Sequence, residues 1–476
     1  DLVLVGCYPH AYRGELQLRL GEMCSRHPQA KLLHGYALTQ EQRQLLRDMA
    51  MVVADGRLGR SLDKQFAQEE APSWPGQMQM PSSLEPLAEA TLPPLPPLAF
   101  ANGLGGMDME TGAYVIQLGP GEKTPMPWCN ILTNGRFGAL VSESGGGYTF
   151  GENSREDKLT PWQNEPRSDR RGEILLLWDG QEGHRPFTVE PGRLQREPAR
   201  VRHGYGYTAF STTAYGLSCE AVQFVDPEAP VKYTLLTLEN PGTQVRRVQL
   251  LYEAEWVLGE RGDPASIYVY THNGAAFARS LRTPQSPPGY LACPNFQVQV
   301  CHDREALLKG GWWTEALPEA ARHYGGAMSG LRGTVHIPGG GRVQVVLMLG
   351  QEKETDAVNR MGISTPAYVT KRLQVVEADW QARLGKIRVQ TPYAAFDALL
   401  NGRLLYQVYA ARLMARTGYY QCSGAIGFRD QLQDMLALLQ VEPERVRAQL
   451  LLCAGRQFQA GDVLHWWHMP MRGVRT

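Results

Sequence analysis

The sequence predicts an α+β multidomain protein in which a large antiparallel β-sandwich is followed by a helical region. Three observations carry this. Apolar residues between about 98 and 350 recur with a period of two between turn signals. After 350 the period becomes helical. The 50 glycines and 32 prolines supply the many turns that a β architecture needs. The 476 residues are about three times an average domain of ~150. With 43% hydrophobic and 20% charged residues the chain is globular rather than wholly disordered.

Residues 1–70 form a small mixed segment. Leu2-Val3-Leu4-Val5 has a buried-strand pattern, and Leu16 to Cys24 and Glu41 to Val53 have helical spacing. Asp1 to Gly6 lacks a basic n-region, so this end reads as part of a longer polypeptide rather than a signal peptide. Residues 71–97 are a Pro-rich linker, ending in Leu92-Pro93-Pro94-Leu95-Pro96-Pro97, which favours extended polyproline. Residues 98–350 carry the β pattern. Val231, Tyr233 and Leu235 alternate, as do Val248, Leu250, Tyr252, Ala254 and Trp256, and Asn240-Pro241-Gly242 between them predicts a hairpin.

A helical linker fills 351–390, and the last region covers 391–476. Thr391-Pro392 signals a helix start, with Phe396, Leu399, Leu400, Leu404 and Val408 marking one apolar face. Two further helices are predicted, from about Arg429 to Leu439 and from Glu444 to Phe458.

Charge and cysteine usage narrow the function. Lys plus Arg and Asp plus Glu number 48 each, which argues against a general nucleic-acid binder yet allows a local basic pocket for one small anion. No run of about 18 apolar residues reads as a membrane span. The eight scattered cysteines form no C-x-x-C pair and suit a reducing compartment. G-x-G-x-x-G, G-x-x-x-x-G-K-[ST], G-x-S-x-G and H-E-x-x-H are all absent.

Three stretches carry chemistry. Ser142 to Arg155, continuing through Leu159-Thr160-Pro161-Trp162, is polar and glycine-rich with aromatic residues, Tyr148 and Trp162 among them. Such loops suit sugars, because a ring face covers C–H groups while polar groups meet hydroxyls. The same composition also fits a structural loop between strands. In Gly424 to Asp434, Arg429 and Gln433 share one helix face, and Asp430 and Asp434 share another. This group can hold sugar hydroxyls through charge-assisted bonds, or serve only to cap a helix. His465-Trp466-Trp467-His468, with Arg472 and Arg475, suits a sugar or phosphate pocket better than a metal site, since no third metal ligand is near. Its alternative is a pair of core tryptophans flanked by histidines satisfied by backbone.

Together these stretches carry a family resemblance. Pro127 to Asn130, Asn134 to Gly138, Ser142 to Phe150, Glu152 to Trp162 and Arg202 to Thr208 resemble the N-terminal β-sandwich of the phosphorylases of glycoside hydrolase family ninety-four. Tyr420-Gln421, Ser423 to Ala425 and Gly427 to Asp434 are similar to the opening of that family's (α/α)₆ barrel, and His465 to His468 and Arg472 to Thr476 continue the match. Within the family, Glu152 to Arg155 and Leu159 to Trp162 are most similar to the C-terminal part of cyclic β-1,2-glucan synthases, and next to 1,2-β-oligoglucan phosphorylases. The resemblance covers about 98 to 476, and 1–60 less specifically.

It implies inverting phosphorolysis of β-1,2-glucan, or the reverse, with inorganic phosphate as co-substrate, α-glucose 1-phosphate as donor and no cofactor or metal. It places the sugar at Arg429, Asp430, Gln433 and Asp434, with Tyr148 and Trp162 nearby, and phosphate at His465, His468 and Arg475. It implies a cytoplasmic homodimer, or part of a larger synthase at the cytoplasmic face of a membrane. The sequence departs from the family in lacking the Gly-Asp-Trp-Asn-Asp-Gly type segment that carries the general acid. The expectation is therefore a fragment without phosphorolysis of its own, holding the first part of the barrel and an exposed apolar surface on it. Two other classes compete: a non-catalytic carbohydrate-binding β-sandwich module, and a purely structural dimerisation domain.

Overall fold

The computed structural model describes residues 2–6, 15–27, 30–34, 38–50, 61, 92–95, 97–181, 184–192, 196–309, 323–324, 327–468 and 472–475. Residues 71–91 and 96 of the Pro-rich stretch, and 51–53 at the end of the expected second helix, lie outside them. The chain divides into two units, Asp1–Met80 and Pro81–Thr476.

In the first unit β1 (Leu2–Gly6), α1 (Glu15–Arg26), β2 (Ala30–His34) and α2 (Gln40–Met49) follow one another, and β1 pairs with β2 in parallel. A parallel pair needs a crossover, and α1 supplies it. Thr39 and Gln42 form a capping box that starts α2: the Thr39 N–H donates to Gln42 Oε1 at 3.0 Å, and the Gln42 N–H to Thr39 Oγ1 at 3.2 Å.

The second unit begins with β3 (Gly105–Met107), β4 (Tyr114–Leu118), β5 (Cys129–Thr133), β6 (Gly138–Ser142), β7 (Gly147–Phe150), β8 (Glu173–Trp178) and β9 (Phe187–Thr188). Next come β10 (Ala199–His203), β11 (Tyr207–Ala214), β12 (Leu217–Val225), β13 (Val231–Glu239), β14 (Arg246–Glu255), β15 (Ile267–His272), β16 (Ala275–Ser280), β17 (Gly289–Ala292) and β18 (Val298–Cys301). The β region closes with α3 (Arg304–Lys309), β19 (His323–Tyr324), β20 (Met328–Ile337) and β21 (Arg342–Gln351). An 11-stranded sheet has the order β19-β15-β16-β17-β21-β13-β12-β11-β10-β4-β3, a 5-stranded sheet the order β18-β20-β14-β8-β9, and β5-β6-β7 form a smaller sheet. All ladders of the two large sheets are antiparallel.

The main core lies between the two large sheets, where Phe210, Ala221, Leu236, Leu238 and Leu347 meet Leu175, Leu177, Val248, Leu250 and Leu331. The alternate residues of the large sheet, Tyr233, Leu235, Val346 and Met348, face a second core shared with the helices. β13 is thus buried on both faces, its Lys232, Thr234 and Thr237 included, and only Glu239 at its end is exposed.

The expected hairpin across Asn240-Pro241-Gly242 does not form. β13 pairs with β12 and β21, whereas β14 pairs with β20 and β8 in the other sheet. The turn is instead a corner of the sandwich. Asn240 Nδ2 donates to the carbonyls of Gln244 at 2.7 Å and Pro338 at 3.1 Å, tying this corner to the β20–β21 crossing beside it. Burial on both faces is better met by sheets stacked on each other than by pairing β13 with β14.

Helices follow. α4 (Glu354–Ile363) leads to α5 (Pro366–Leu384), where Thr365 caps the Tyr368 N–H and Pro366 stands in the first turn. Val369, Val376, Trp380 and Leu384 form its buried stripe. The run 394–414 alternates α6 (Ala394–Ala398), a π-helical turn Leu399–Arg403, α7 (Leu404–Gln407) and a π-helical turn Val408–Met414. It starts later than Thr391-Pro392 suggests, because the Thr391 N–H and hydroxyl donate to Asp397. Its apolar face also differs from the expected one. Phe396, Leu399 and Leu404 are exposed, while Gly402, Tyr406, Tyr409, Ala410 and Leu413 are buried. Each π turn adds a residue per turn, so a 3.6-residue extrapolation drifts off the packed face. α8 (Phe428–Asp434) continues as a 3₁₀ turn (Met435–Leu438), then α9 (Pro443–Ala454). A small sheet of β22 (Ile426–Gly427), β23 (Leu464–His468) and β24 (Arg472–Arg475) ends the described chain.

The Arg202 to Thr208 stretch locks the sandwich onto this run. The Gly206 N–H donates to the Tyr406 hydroxyl at 3.1 Å, and that hydroxyl lies 2.8 Å from both Asn130 Oδ1 and the Ile131 carbonyl oxygen. Gly206 has φ +81 and a Cβ there would strike the Trp380 ring. The Arg403 guanidinium covers Tyr205 at 5.1 Å and donates to the His203 carbonyl. Burial pulls the pKa of His203 down to about 4, and Arg403 adds to this. Tyr406→Phe is expected to cost about 1–2 kcal/mol, because it orphans buried groups on both sides of the junction. Urea unfolding at pH 7 measures this, and an unchanged midpoint would refute the junction's role.

Candidate functional site

The Ser142 to Phe150 stretch folds inward. Ser142, Glu143, Ser144, Tyr148, Thr149 and Phe150 are all buried. Ser142 Oγ donates to Asp169 Oδ2 at 2.6 Å, Ser144 Oγ donates to the same oxygen, and the Tyr419 hydroxyl donates to Asp169 Oδ1 at 3.0 Å. The structural alternative is the one realised for this stretch. Tyr148 has no ring face open to a sugar, a correction to its expected place. Its hydroxyl lies 2.7 Å from Thr417 Oγ1 and donates to Cys422 Sγ at 3.1 Å, and burial raises both the phenol and the thiol above their ordinary pKa values. Tyr148 is therefore a post between the sandwich and the segment ahead of α8. Trp162 is half-buried and packs edge-on against Tyr148 at 6.4 Å.

The next loop, Gly151 to Asp157, does reach the helical region. Asn153 Oδ1 accepts the backbone N–H groups of Arg155 at 3.0 Å and Glu156 at 3.1 Å, and Nδ2 donates to the Gly424 carbonyl at 3.0 Å. The same Nδ2 lies 3.3 Å from His468 Nδ1. Gly424 has φ +58, and a Cβ there would collide with Asn153 Oδ1, so the turn needs glycine. Cys422 Sγ donates to the Ser154 carbonyl at 2.7 Å. Segments more than 250 residues apart in sequence thus meet around one amide.

β22 joins the second and third chemical stretches. Ile426 is opposite Trp467, and Gly427 opposite Trp466, so the His-Trp-Trp-His strand is hydrogen-bonded to the residues that open α8. On α8 the Arg429 side chain is 84% exposed and lies 3.7 Å from Asp430, itself 60% exposed. Gln433 is exposed, and Asp434 is held by Arg412 at 3.0 Å, a partner the sequence reading did not single out. On β23 His465 is exposed and Trp467 is buried beneath Arg456. His468 is only 2% exposed, packed against Trp466, with Nε2 3.9 Å from Glu156 Oε1. Arg475 lies on β24 opposite Leu464, and its side chain is outside the described residues.

The expected residues therefore divide. Arg429, Asp430 and Gln433 present a guanidinium, a carboxylate and an amide to solvent at one place, a set able to hold several hydroxyls. His465 is exposed on β23, which pairs with the two β22 residues just ahead of α8. Tyr148 and His468 are interior. Asn153 lies within the first stretch but was not singled out, and Arg412, in a mostly apolar helical run, was missed; only their long-range partners reveal them. Among the described residues no three His, Cys, Asp or Glu side chains gather for a metal, and no helix is long and apolar enough to cross a membrane.

Comparison with known proteins adds the family. Residues 112–364 match the glycosyl hydrolase 94 supersandwich domain, and 379–476 the catalytic domain of the glycosyl hydrolase 94 superfamily. The chain is 34% identical over 399 residues to the cyclic beta-(1,2)-glucan synthase NdvB of Rhizobium meliloti (strain 1021), covering 80% of this chain and 14% of that protein. It is 22% identical over 385 residues to the N,N'-diacetylchitobiose phosphorylase of Vibrio proteolyticus, covering 76% of this chain and 48% of the other. Among solved structures, a bacterial glucoamylase complexed with acarbose covers 79% of this chain and 55% of its own, with 10% identity and a TM-score of 0.47. The chain spans about half or less of the length of these curated relatives.

Proposed function

The chain belongs to the glycosyl hydrolase 94 family, and we propose that it is part of an enzyme that makes or breaks β-1,2-glucosidic bonds by phosphorolysis, in the synthesis of cyclic β-1,2-glucan. The observation that carries the linkage is the greater identity to the glucan synthase, 34%, than to the chitobiose phosphorylase, 22%. In this reading phosphate attacks the anomeric carbon from the face opposite the scissile bond. A carboxylic acid protonates the leaving oxygen, and α-glucose 1-phosphate leaves with inverted configuration. Phosphate is already anionic and needs no base.

Arg429, Asp430, Gln433 and Asp434 hold the sugar, with Trp162 at the edge of the site, and His465 and Arg475 supply donors toward phosphate. Arg412 fixes the position of the Asp434 carboxylate through their ion pair. No metal or cofactor enters the scheme, and the site acts in the cytoplasm, in a homodimer or at the face of a membrane-bound synthase.

Residues 1–476 hold no Gly-Asp-Trp-Asn-Asp-Gly type segment. This chain by itself is therefore expected to release no α-glucose 1-phosphate from β-1,2-glucooligosaccharides and phosphate. A chain that also carries such a segment is expected to turn over. If that longer chain binds the oligosaccharide without turnover, the protein is a binding module and the mechanism falls.

A further inference from the structure

We infer that Asn153 is a positioning residue that holds His468 neutral, with its proton on Nε2. The argument starts from the amide. Two backbone N–H groups, of Arg155 and Glu156, point at one atom of the Asn153 side chain, which must be the oxygen. The other atom faces the Gly424 carbonyl at 3.0 Å and must be the NH₂. Rotating the amide by half a turn would set donor against donor at two places and oxygen against oxygen at a third. Its orientation is thus settled three times over, without reference to the histidine.

That NH₂ lies 3.3 Å from His468 Nδ1. An N–H on Nδ1 would face an N–H, so Nδ1 must accept. A neutral imidazole that accepts at Nδ1 carries its proton on Nε2. The imidazolium, protonated at both nitrogens, meets the same donor clash. The charged groups near the ring do not reverse this. Glu156 Oε1, 3.9 Å from Nε2, attracts a cationic ring but lies beyond direct hydrogen-bond reach, and it favours a proton on Nε2 in either charge state; Arg155 is turned to Glu260 at 2.9 Å. Arg472 stands opposite His468 in the β23–β24 ladder. The surrounding fold enforces the arrangement: His468 is 2% exposed and Asn153 is 3% exposed, and the turn that presents the Gly424 carbonyl accepts only glycine.

The consequence rests on the proposed function. His468, expected from sequence to hold phosphate, serves as a neutral hydrogen-bond donor at the base of the site, not as a cation or a proton shuttle. The sandwich, through Asn153, sets the chemistry of a side chain in the helical region.

The test is independent of turnover. ¹⁵N-histidine NMR of the 476-residue chain, with the His468 signals assigned by their loss in His468→Gln, is expected to show the Nε2–H tautomer, unchanged from pH 5 to 8. In Asn153→Asp a carboxylate oxygen faces Nδ1, so His468 should become the imidazolium and its titration should rise by about one unit or more. Asn153→Ala removes the donor and should give a mixture of tautomers. A dominant Nδ1–H tautomer in the parent overturns the inference, as does the same tautomer and titration in parent and variants. If either variant fails to fold, the parent spectrum alone decides.

Discussion

Arg429→Ala, placed in a catalytically complete protein containing these residues, is expected to lower kcat/KM for β-1,2-glucooligosaccharide phosphorolysis about 10²–10³-fold. Its folding should be unchanged. The side chain is 84% exposed and its ion pair to Asp430, itself 60% exposed, is a surface contact of little structural consequence. A group that contributes so little to the fold, beside the Asp430 carboxylate and the Gln433 amide, is free to direct its charge to a ligand. Steady-state phosphate release, with a circular dichroism melt of the same sample, separates the two effects. Turnover equal to the parent's would remove Arg429 from the site, and loss of folding would show the residue to be structural. Arg412→Ala is the informative companion, since it releases Asp434 without touching Arg429.

The second large effect concerns stability. Glu253 lies on the outer face of the 5-stranded sheet, opposite Gly330 and Ile174, and is only 4% exposed. Among the described residues its Oε2 has no hydrogen-bond partner. Burial raises its pKa from the ordinary carboxyl value to about 7, with the buried Arg171 guanidinium lowering it only in part. The folded state therefore keeps a proton that the unfolded chain releases near pH 4.5. Where the native state binds more protons, stability falls as pH rises. The contribution is fully present below about pH 4.5 and lost as pH climbs through about 7, a total of about 3 kcal/mol at most. Glu253→Gln removes the charge and should be about 2 kcal/mol more stable than the parent at pH 8, with little difference near pH 4.5. Urea midpoints for both proteins at several pH values decide the matter. Parallel curves would show that Glu253 is solvated or paired in the folded state.

Both effects depend on positions that local sequence does not distinguish. Glu253 sits in the alternating run Gln249 to Glu255 and reads as an outward, solvated residue, like Glu255. It is buried because α3 lies over that face of the sheet, with Leu307 packed near Gly330. Arg429 and Asp434 read alike as parts of one charged helix end. They separate because Arg412, on the preceding helical run, reaches only Asp434. Tyr148 and His468 looked like ligand-facing residues of polar, aromatic stretches, and packing against a second element turned both inward.

The sequence by itself determined that strands precede helices, where the runs at 231–235 and 248–256 lie, and which family the motifs belong to. These are local properties: alternation, capping, turn residues and contiguous motifs are written within a few residues of one another. The tertiary structure alone decided that β13 and β14 lie in different sheets and which face of the 394–414 run is packed. It alone brought Asn153, Gly424 and His468 to a single amide. Periodicity states that a face will be buried but not against what, and a hydrogen bond between residues 315 positions apart leaves no trace in the sequence near either one.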